Sequence, residues 1–264
     1  MSFFTVQNLT AGYGKTPVIR DVSFELERGC LMGILGANGS GKTTLLKAIC
    51  GILPHEGRCT LGGTQLERCT PRQLSRLCSY IPQRSGIGID LSVLDVVLMG
   101  FNPRLGMLEH PDRAMRAAAL QAIAQVGLDG KEHANYLHLS EGQKQLCILA
   151  RTLVTESRLL LLDEPESALD FRYRYSMLDE LRGWIASTQG SALVTLHDPV
   201  LALNDCDRLL LLRDGQLLGV MSPRSDSLET MERLLCGVYG PISLQPCITR
   251  GGKTRLLLLK EDEP

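Results

Sequence analysis

The sequence is poor in aromatic residues, 5% in all with a single tryptophan, and it holds no apolar run long enough to cross a bilayer. Its richest apolar runs, such as Leu159 to Leu162 and Leu209 to Leu212, are four residues long. Met1 to Gln7 shows no basic segment followed by an apolar stretch, so no export leader is expected. Charge of one sign is also missing: 28 Lys and Arg stand against 29 Asp and Glu, a net charge of −1. No broad basic field exists to hold nucleic acid or an acidic membrane, and no nucleic-acid partner is expected. The nine cysteines are an odd number, scattered from Cys30 to Cys247 without a close C-x-x-C pair, which argues against a zinc or redox motif. They are expected to be reduced and mostly buried. His55, His110, His133 and His138 have no metal-ligand spacing among themselves. These absences predict a cytoplasmic chain whose membrane association, if any, runs through a partner.

With 264 residues, 44% of them hydrophobic, the chain is long enough for one large domain with a substantial core. Phe4, Val6 and Leu9, then Val22, Phe24 and Leu26, alternate as strands do on either side of Gly12-Tyr13-Gly14 and predict an antiparallel β-lobe. From Cys30 the pattern becomes a continuous buried strand, a glycine-rich turn, and a helix from about Lys42 to Gly51. Between about Arg84 and Thr155 helical periodicity takes over, with Met115, Ala119, Ala122, Ile123 and Val126 on one face and Leu146, Leu149, Ala150, Leu153 and Val154 on another. Buried strands return at Leu159 to Leu162, Ala192 to Leu196 and Arg208 to Leu212, and Ile242 to Leu259 reads as a hairpin turning at Arg250 to Lys253. The expected fold class is α/β, a mixed sheet flanked by helices with an antiparallel β-lobe and an inserted helical subdomain. Residues 1–84 and 156–241 would form the core, 85–155 the helical insertion and 242–264 the hairpin.

The strongest local signal is Gly36-Ala37-Asn38-Gly39-Ser40-Gly41-Lys42-Thr43, a complete G-x-x-x-x-G-K-[ST] phosphate loop between a buried strand and a helix. Its glycines turn successive backbone N–H groups toward phosphates, the helix N-terminus adds positive potential, Lys42 reaches the β- and γ-phosphates and the Thr43 hydroxyl can ligate Mg²⁺. Asp163 and Glu164 end the buried strand at Leu162, at the sheet edge where such folds bind ligands. Asp163 is the expected Mg²⁺-side acid, directly or through water, and Glu164 the general base on the attacking water. The alternative for this pair is a plain helix cap.

A phosphate loop with two acids marks a nucleoside triphosphatase; Leu139-Ser140-Glu141-Gly142-Gln143 narrows it. This pentapeptide resembles the signature of ATP-binding-cassette (ABC) proteins, LSGGQ in most members, and the rest of that family's pattern follows through nearly the whole chain. Tyr13 resembles the aromatic residue that stacks on adenine, Gln83 the Q-loop glutamine, Ser167-Ala168-Leu169-Asp170 the D-loop and His197 the switch histidine. The resemblance implies a phosphate-loop ATPase with ATP and Mg²⁺ as cofactors. Gln83, His197, Lys42 and Glu164 would then be catalytic. Thr43, Gln83 and Asp163 would lie at the metal, and Tyr13 together with Gly36, Asn38, Gly39, Ser40, Gly41, Lys42, Thr43 and Thr44 would hold the nucleotide. Ser140 as an N-cap before the helix of Leu146, Leu149 and Leu153 makes an anion site. By the resemblance, Ser140, Gly142, Gln143 and Asp170 serve the nucleotide of a second copy, in a homodimer with two composite sites.

Three positions depart from the pattern: Glu141 replaces a glycine, Glu166 stands where Thr is usual, and Pro199 follows His197-Asp198 where an aliphatic residue is usual. The two glutamates add negative charge near a polyphosphate, while Pro199 suits the first position of a helix capped by Asp198. A lone cassette with an ordinary helical region resembles the separate motor of a prokaryotic importer. Ser92-Val93-Leu94-Asp95-Val96-Val97-Leu98-Met99-Gly100 with Pro103 is similar to importers for ferric siderophores, haem and cobalamin, and also to molybdate-type motors. That implies a transmembrane permease gripping a cleft beside Gln83, a substrate-binding protein that delivers cargo, and a peripheral position on the inner face of the cell membrane. Arg84-Ser85-Gly86-Ile87-Gly88 is the expected hinge, and one or two of Ile89, Leu91, Val93 and Leu94 are expected in the cleft, the others in the core. A soluble ABC ATPase with no membrane partner is the competing class.

Overall fold

Alternation governs the first strands. β1 (Phe4–Tyr13) and β2 (Thr16–Leu26) pair antiparallel with Phe4, Val6 and Leu9 opposite Leu26, Phe24 and Val22, all buried. β1 runs through Gly12 and Tyr13, so the turn falls at Gly14 and Lys15 and not at Gly12 to Gly14 as the sequence suggests; Gly14 supplies the left-handed φ of 69° that the two-residue reversal requires. The computed structural model describes residues 2–83, 86–106, 108–155 and 157–262.

β3 (Leu31–Gly36) is buried at every position and leads through the phosphate loop into α1 (Lys42–Ile49). β4 (His55–Leu61) returns to the other side of β1, and β5 (Thr64–Gln65) pairs with it, giving an antiparallel sheet in the order β2-β1-β4-β5. α2 (Pro71–Leu77), closed by a Thr70/Gln73 capping box, brings the chain to β6 (Cys78–Ile81). Three helices follow, α3 (Val93–Leu98), α4 (Arg113–Gln125) and α5 (Glu141–Leu153). β7 (Leu159–Asp163) then pairs in parallel with β6, so the residues between these strands leave and rejoin the sheet at neighbouring positions. α6 (Phe171–Thr188), β8 (Ser191–Thr195), α7 (Pro199–Asp205), β9 (Arg208–Arg213) and β10 (Gln216–Met221) complete a six-stranded sheet in the order β10-β9-β3-β8-β7-β6, parallel except for β10. α8 (Leu228–Tyr239) and the hairpin of β11 (Ile242–Ile248) and β12 (Thr254–Lys260) end the described chain.

The period-two rule sorts the buried strands onto two faces. Met32, Ile34, Leu159, Leu161, Leu193, Leu210 and Leu212 pack with α1 and the antiparallel lobe. Leu31, Leu35, Leu160, Leu162, Ala192, Val194, Leu209 and Leu211 pack with residues of α3 to α8. Each fully buried leucine contributes about 1.5–3 kcal/mol of transfer free energy, so the uninterrupted leucines of β7, all 0% exposed, hold the acids that follow them on a rigid base. The helical stretch shares this second core with the sheet, which couples its position to β7. The cysteines are free; Cys30, Cys59, Cys78, Cys147 and Cys206 are buried and the other four half-buried.

Candidate functional site

The site forms at the carboxyl edge of the parallel strands, where β8 lies between β3 and β7. The phosphate loop follows β3, Asp163 and Glu164 end β7, and His197 follows β8. Gly39 and Gly41 take φ of 81° and 100°, conformations that L side chains rarely adopt. At Gly36 a Cβ would come within 2.5 Å of the Leu212 carbonyl, so only glycine lets the loop pass β9. The buried Ser40 hydroxyl has no partner among the described residues, and the exposed Ala37, Asn38 and Gly39 border it. An inward-facing orphan donor in a glycine-rich cradle fits a polyphosphate.

Lys42 is buried and donates from Nζ to the carbonyls of Gly36 at 2.8 Å and Ala37 at 3.3 Å. Burial pulls its ammonium below the usual lysine range, opposed by the charges of Glu164, Asp163 and Glu166. Thr43 donates to Asp163 Oδ1 at 2.9 Å, while the next residue, Thr44, is buried in α1.

Asp163 is 3% exposed and accepts three hydroxyl donors: Thr43 and Thr195 on Oδ1, at 2.9 and 3.1 Å, and Tyr80 on Oδ2 at 3.1 Å. Thr195 is its register partner in β8, so strand pairing places the hydroxyl there. Burial and the Asp163 charge push the Tyr80 phenol upward, which keeps it a donor. Glu164 has a left-handed φ of 50°, and its N–H donates to Thr195 Oγ1 at 2.7 Å. The Glu164 Oε2 atom is gripped from two sides, by Gln83 Nε2 at 2.6 Å and His197 Nε2 at 2.8 Å. Among the described residues neither carboxylate caps a helix; the donors they meet come from β6, α1, β8 and the two flanking loops. The non-glycine left-handed backbone at Glu164 costs roughly 1–3 kcal/mol and is held by the Thr195 hydroxyl and the leucine strand behind it.

Several of these contacts were not legible as site contacts in the sequence: Tyr80, Thr195 and Gln145, the last of which donates from Nε2 to the Gln83 carbonyl at 2.6 Å and ties α5 to the glutamine. Glu166 belongs with them. It is 1% exposed, its Oε1 accepts the His197 backbone N–H at 2.8 Å, and its Oε2 has no partner among the described residues. Burial pushes its carboxyl upward despite the hydrogen bond from His197.

Other expected site residues stand apart from this cluster. Tyr13 is 55% exposed at the β1–β2 turn. Ser140 caps α5, accepting from Gln143 N–H at 3.3 Å while Gln143 Oε1 accepts the Ser140 N–H at 3.2 Å. Gly142 lies where a Cβ would stand 3.2 Å from the Ala168 carbonyl, so the signature turn abuts the Ser167 to Asp170 segment. Asp170 caps α6 through Tyr173 N–H, and Asp198 caps α7 with Pro199 at its first position, as the sequence predicts. Of the expected hinge, Arg84 and Ser85 lie outside the described residues, while Gly86 has a φ of 63°. Val93 and Leu94 are buried, Leu91 is half-buried and Ile89 is 63% exposed.

The family model described as ABC transporter matches residues 19–167. A hemin import ATP-binding protein of Bordetella pertussis is 35% identical over 251 residues, covering 92% of this chain and 95% of its own length. An iron chelatin transport ATP-binding protein of Helicobacter pylori is 33% identical over 219 residues, 80% of this chain and 84% of its own. Among solved structures, a metal-chelate type ABC transporter in an inward-facing conformation aligns with a TM-score of 0.82 at 26% identity, over 99% of both chains. With the family model spanning more than half of the sequence and relatives aligned over nearly all of it, the chain belongs to the ABC transporter family of ATP-binding ATPase subunits.

Proposed function

We propose that the chain is the ATP-hydrolysing motor of an importer for a metal chelate, acting as an ATP-bridged homodimer on a separate permease supplied by a substrate-binding protein. The observation that carries the reading is the pair of contacts at Gln83. Its side chain meets the Glu164 carboxylate while its backbone is held by Gln145 of α5, so the water-activating acid of this reading and the helical region share one residue. The names of the relatives support hemin or another iron chelate over molybdate.

In this reading the loop from Gly36 to Thr44 cradles the triphosphate, Tyr13 meets adenine, and Lys42 leaves the loop carbonyls for phosphate oxygens. Thr43, Asp163 and Gln83 would hold Mg²⁺, a hard cation suited to their oxygen ligands, which supplies charge neutralisation of the phosphates. Glu164 accepts the proton of the attacking water, with His197 and Gln83 both holding its Oε2 atom. Ser140, Gly142 and Gln143 of one copy, with Asp170, close on the nucleotide of the second. No helix among the described residues is long and apolar enough to cross a membrane, so attachment to the inner face of the cell membrane would be through the permease.

The test is reconstitution with its cognate permease in liposomes holding the binding protein outside. ATP-driven uptake of hemin or a ferric chelate, lost when Ser140→Arg blocks the signature in both copies, is the expected result. Hydrolysis by Ser140→Arg at the parent rate would overturn the trans role. Recovery of ribosomal or nucleic-acid partners in place of a permease would favour a soluble ATPase.

A further inference from the structure

The antiparallel lobe carries a second set of ligating side chains that the ATPase reading leaves unused. His55 and Cys59 sit four residues apart on β4, either side of the register shift at Gly57 (φ 95°), and Glu67 comes from the 3-10 turn Leu66–Arg68 that follows β5. The three are brought together by the fold, since the spacing of the histidines alone shows nothing at His55. One ligand atom from each, an imidazole nitrogen, the thiol sulfur and a carboxylate oxygen, lies within 4.8 Å of the others. His55 Nδ1 faces the Glu56 carbonyl at 3.2 Å, which turns Nε2 toward Glu67 Oε1, 3.8 Å away. Glu67 Oε1 also accepts the Cys59 backbone N–H, which fixes the carboxylate over the strand.

We propose that His55, Cys59 and Glu67 form a binding site for a thiophilic divalent cation of the Zn²⁺ class. Donor chemistry favours that class: one nitrogen, one sulfur and one carboxylate oxygen is a set that zinc accepts and that Mg²⁺ and Ca²⁺ do not. Tetrahedral bonds of about 2.0–2.3 Å put ligand atoms about 3.5 Å apart, so side-chain rotation of about an ångström closes the set. Three protein ligands leave a fourth position for water.

Cys59 is a buried free thiol, and its backbone N–H donates to the Glu67 carboxylate. Binding replaces that thiol proton by the cation: the S–H bond breaks, the sulfur–metal bond forms with both electrons from sulfur, and the proton leaves to solvent. Thiolate and carboxylate then balance the double positive charge. Cys59 and Cys78 lie in the same apolar core, with Cys50 packed against it, so other thiols stand near the site without belonging to it. His55 is also the register partner of Ala11 in β1, two residues before Tyr13. An ion here therefore stitches β4 to the following turn beside the strand that presents Tyr13. The site is independent of the transport reading.

The experiment uses the full chain, dialysed against chelator and titrated with Co²⁺ and then Zn²⁺. The expected result is one Co²⁺ per chain with a thiolate-to-cobalt charge-transfer band, displaced by Zn²⁺, and a rise in Tm with Zn²⁺. Cys59→Ser should abolish the band, while His55→Ala and Glu67→Gln, which leave the core thiol in place, should weaken affinity at least tenfold. Cys50→Ser and Cys69→Ser should keep the band. Cobalt binding without a thiolate band, or parent affinity in both His55→Ala and Glu67→Gln, would overturn the site. If Cys59→Ser does not fold, the His55 and Glu67 variants decide the matter.

Discussion

Thr195→Val removes a single hydroxyl and keeps the shape of the side chain, and its cost follows from two contacts. Thr195 Oγ1 accepts the Glu164 N–H at 2.7 Å and donates to Asp163 Oδ1 at 3.1 Å, at a position 0% exposed. In the valine variant the Glu164 N–H loses its acceptor, at about 1–3 kcal/mol for a desolvated donor. Asp163 keeps Thr43 and Tyr80 as donors, so its loss falls at the low end, about 1 kcal/mol. The sum is roughly 2–4 kcal/mol. Thr195→Ser is the control, because it keeps the hydroxyl and loses one buried methyl, about 1 kcal/mol.

Denaturant unfolding of the parent and both variants reads the difference, with Thr195→Val expected to be the less stable by roughly 1–3 kcal/mol. Activity should separate further. The Thr195 hydroxyl helps hold Glu164 in its left-handed backbone, so its loss frees the carboxylate from the geometry that Gln83 and His197 grip. The ATPase kcat should fall while nucleotide binding, measured at equilibrium, changes little. A Thr195→Val protein as stable and as active as Thr195→Ser would refute the view that this hydroxyl organises the two acids.

Glu164→Gln is expected to bind ATP normally and lose hydrolysis by about 10²–10⁴-fold, because an amide keeps the contact to Gln83 but cannot accept a proton; single-turnover hydrolysis and sizing of the ATP-bound dimer check both halves. Glu166→Gln should change the pH dependence of stability: burial raises the Glu166 carboxyl in the fold, so its contribution is fully present below the ordinary glutamate value of about 4.3 and is lost as pH rises through the raised one. The stability of Glu166→Gln relative to the parent should thus increase from pH 4 toward pH 8 in denaturant titrations, and an unchanged gap would show that the buried carboxyl does not titrate in this range.

What the sequence made legible has a physical pattern. The phosphate loop could be read because its function constrains successive residues: glycine at positions needing φ of 81° and 100°, then Lys42 and Thr43 where a helix begins. The acids after Leu162 could be read because an all-leucine strand announces its own end. Thr195 and Tyr80 could not. Each is a single residue in an ordinary strand, and only the pairing of β8 and β6 with β7 carries its hydroxyl to Asp163. The stretch from β4 to β6 was silent for another reason. α2 buries none of its residues completely, so it has no strong apolar stripe to show, and β4 exposes three residues in a row at Glu56, Gly57 and Arg58. Tertiary pairing, not local pattern, makes these segments.

The two glutamates that break the family pattern show how charge counted along a chain differs from charge placed in a fold. On sequence, Glu141 and Glu166 both put negative charge near a polyphosphate. Glu141 lies in the first turn of α5, where the helix dipole favours an anion, and its carboxylate meets Lys144 at 2.8 Å, so little of its field is left uncompensated. Glu166 is sealed beneath the His197 backbone, and burial drives its carboxyl toward the neutral form. The same side chain whose charge reaches Lys42 is also a fixture of the loop that carries His197 to Glu164.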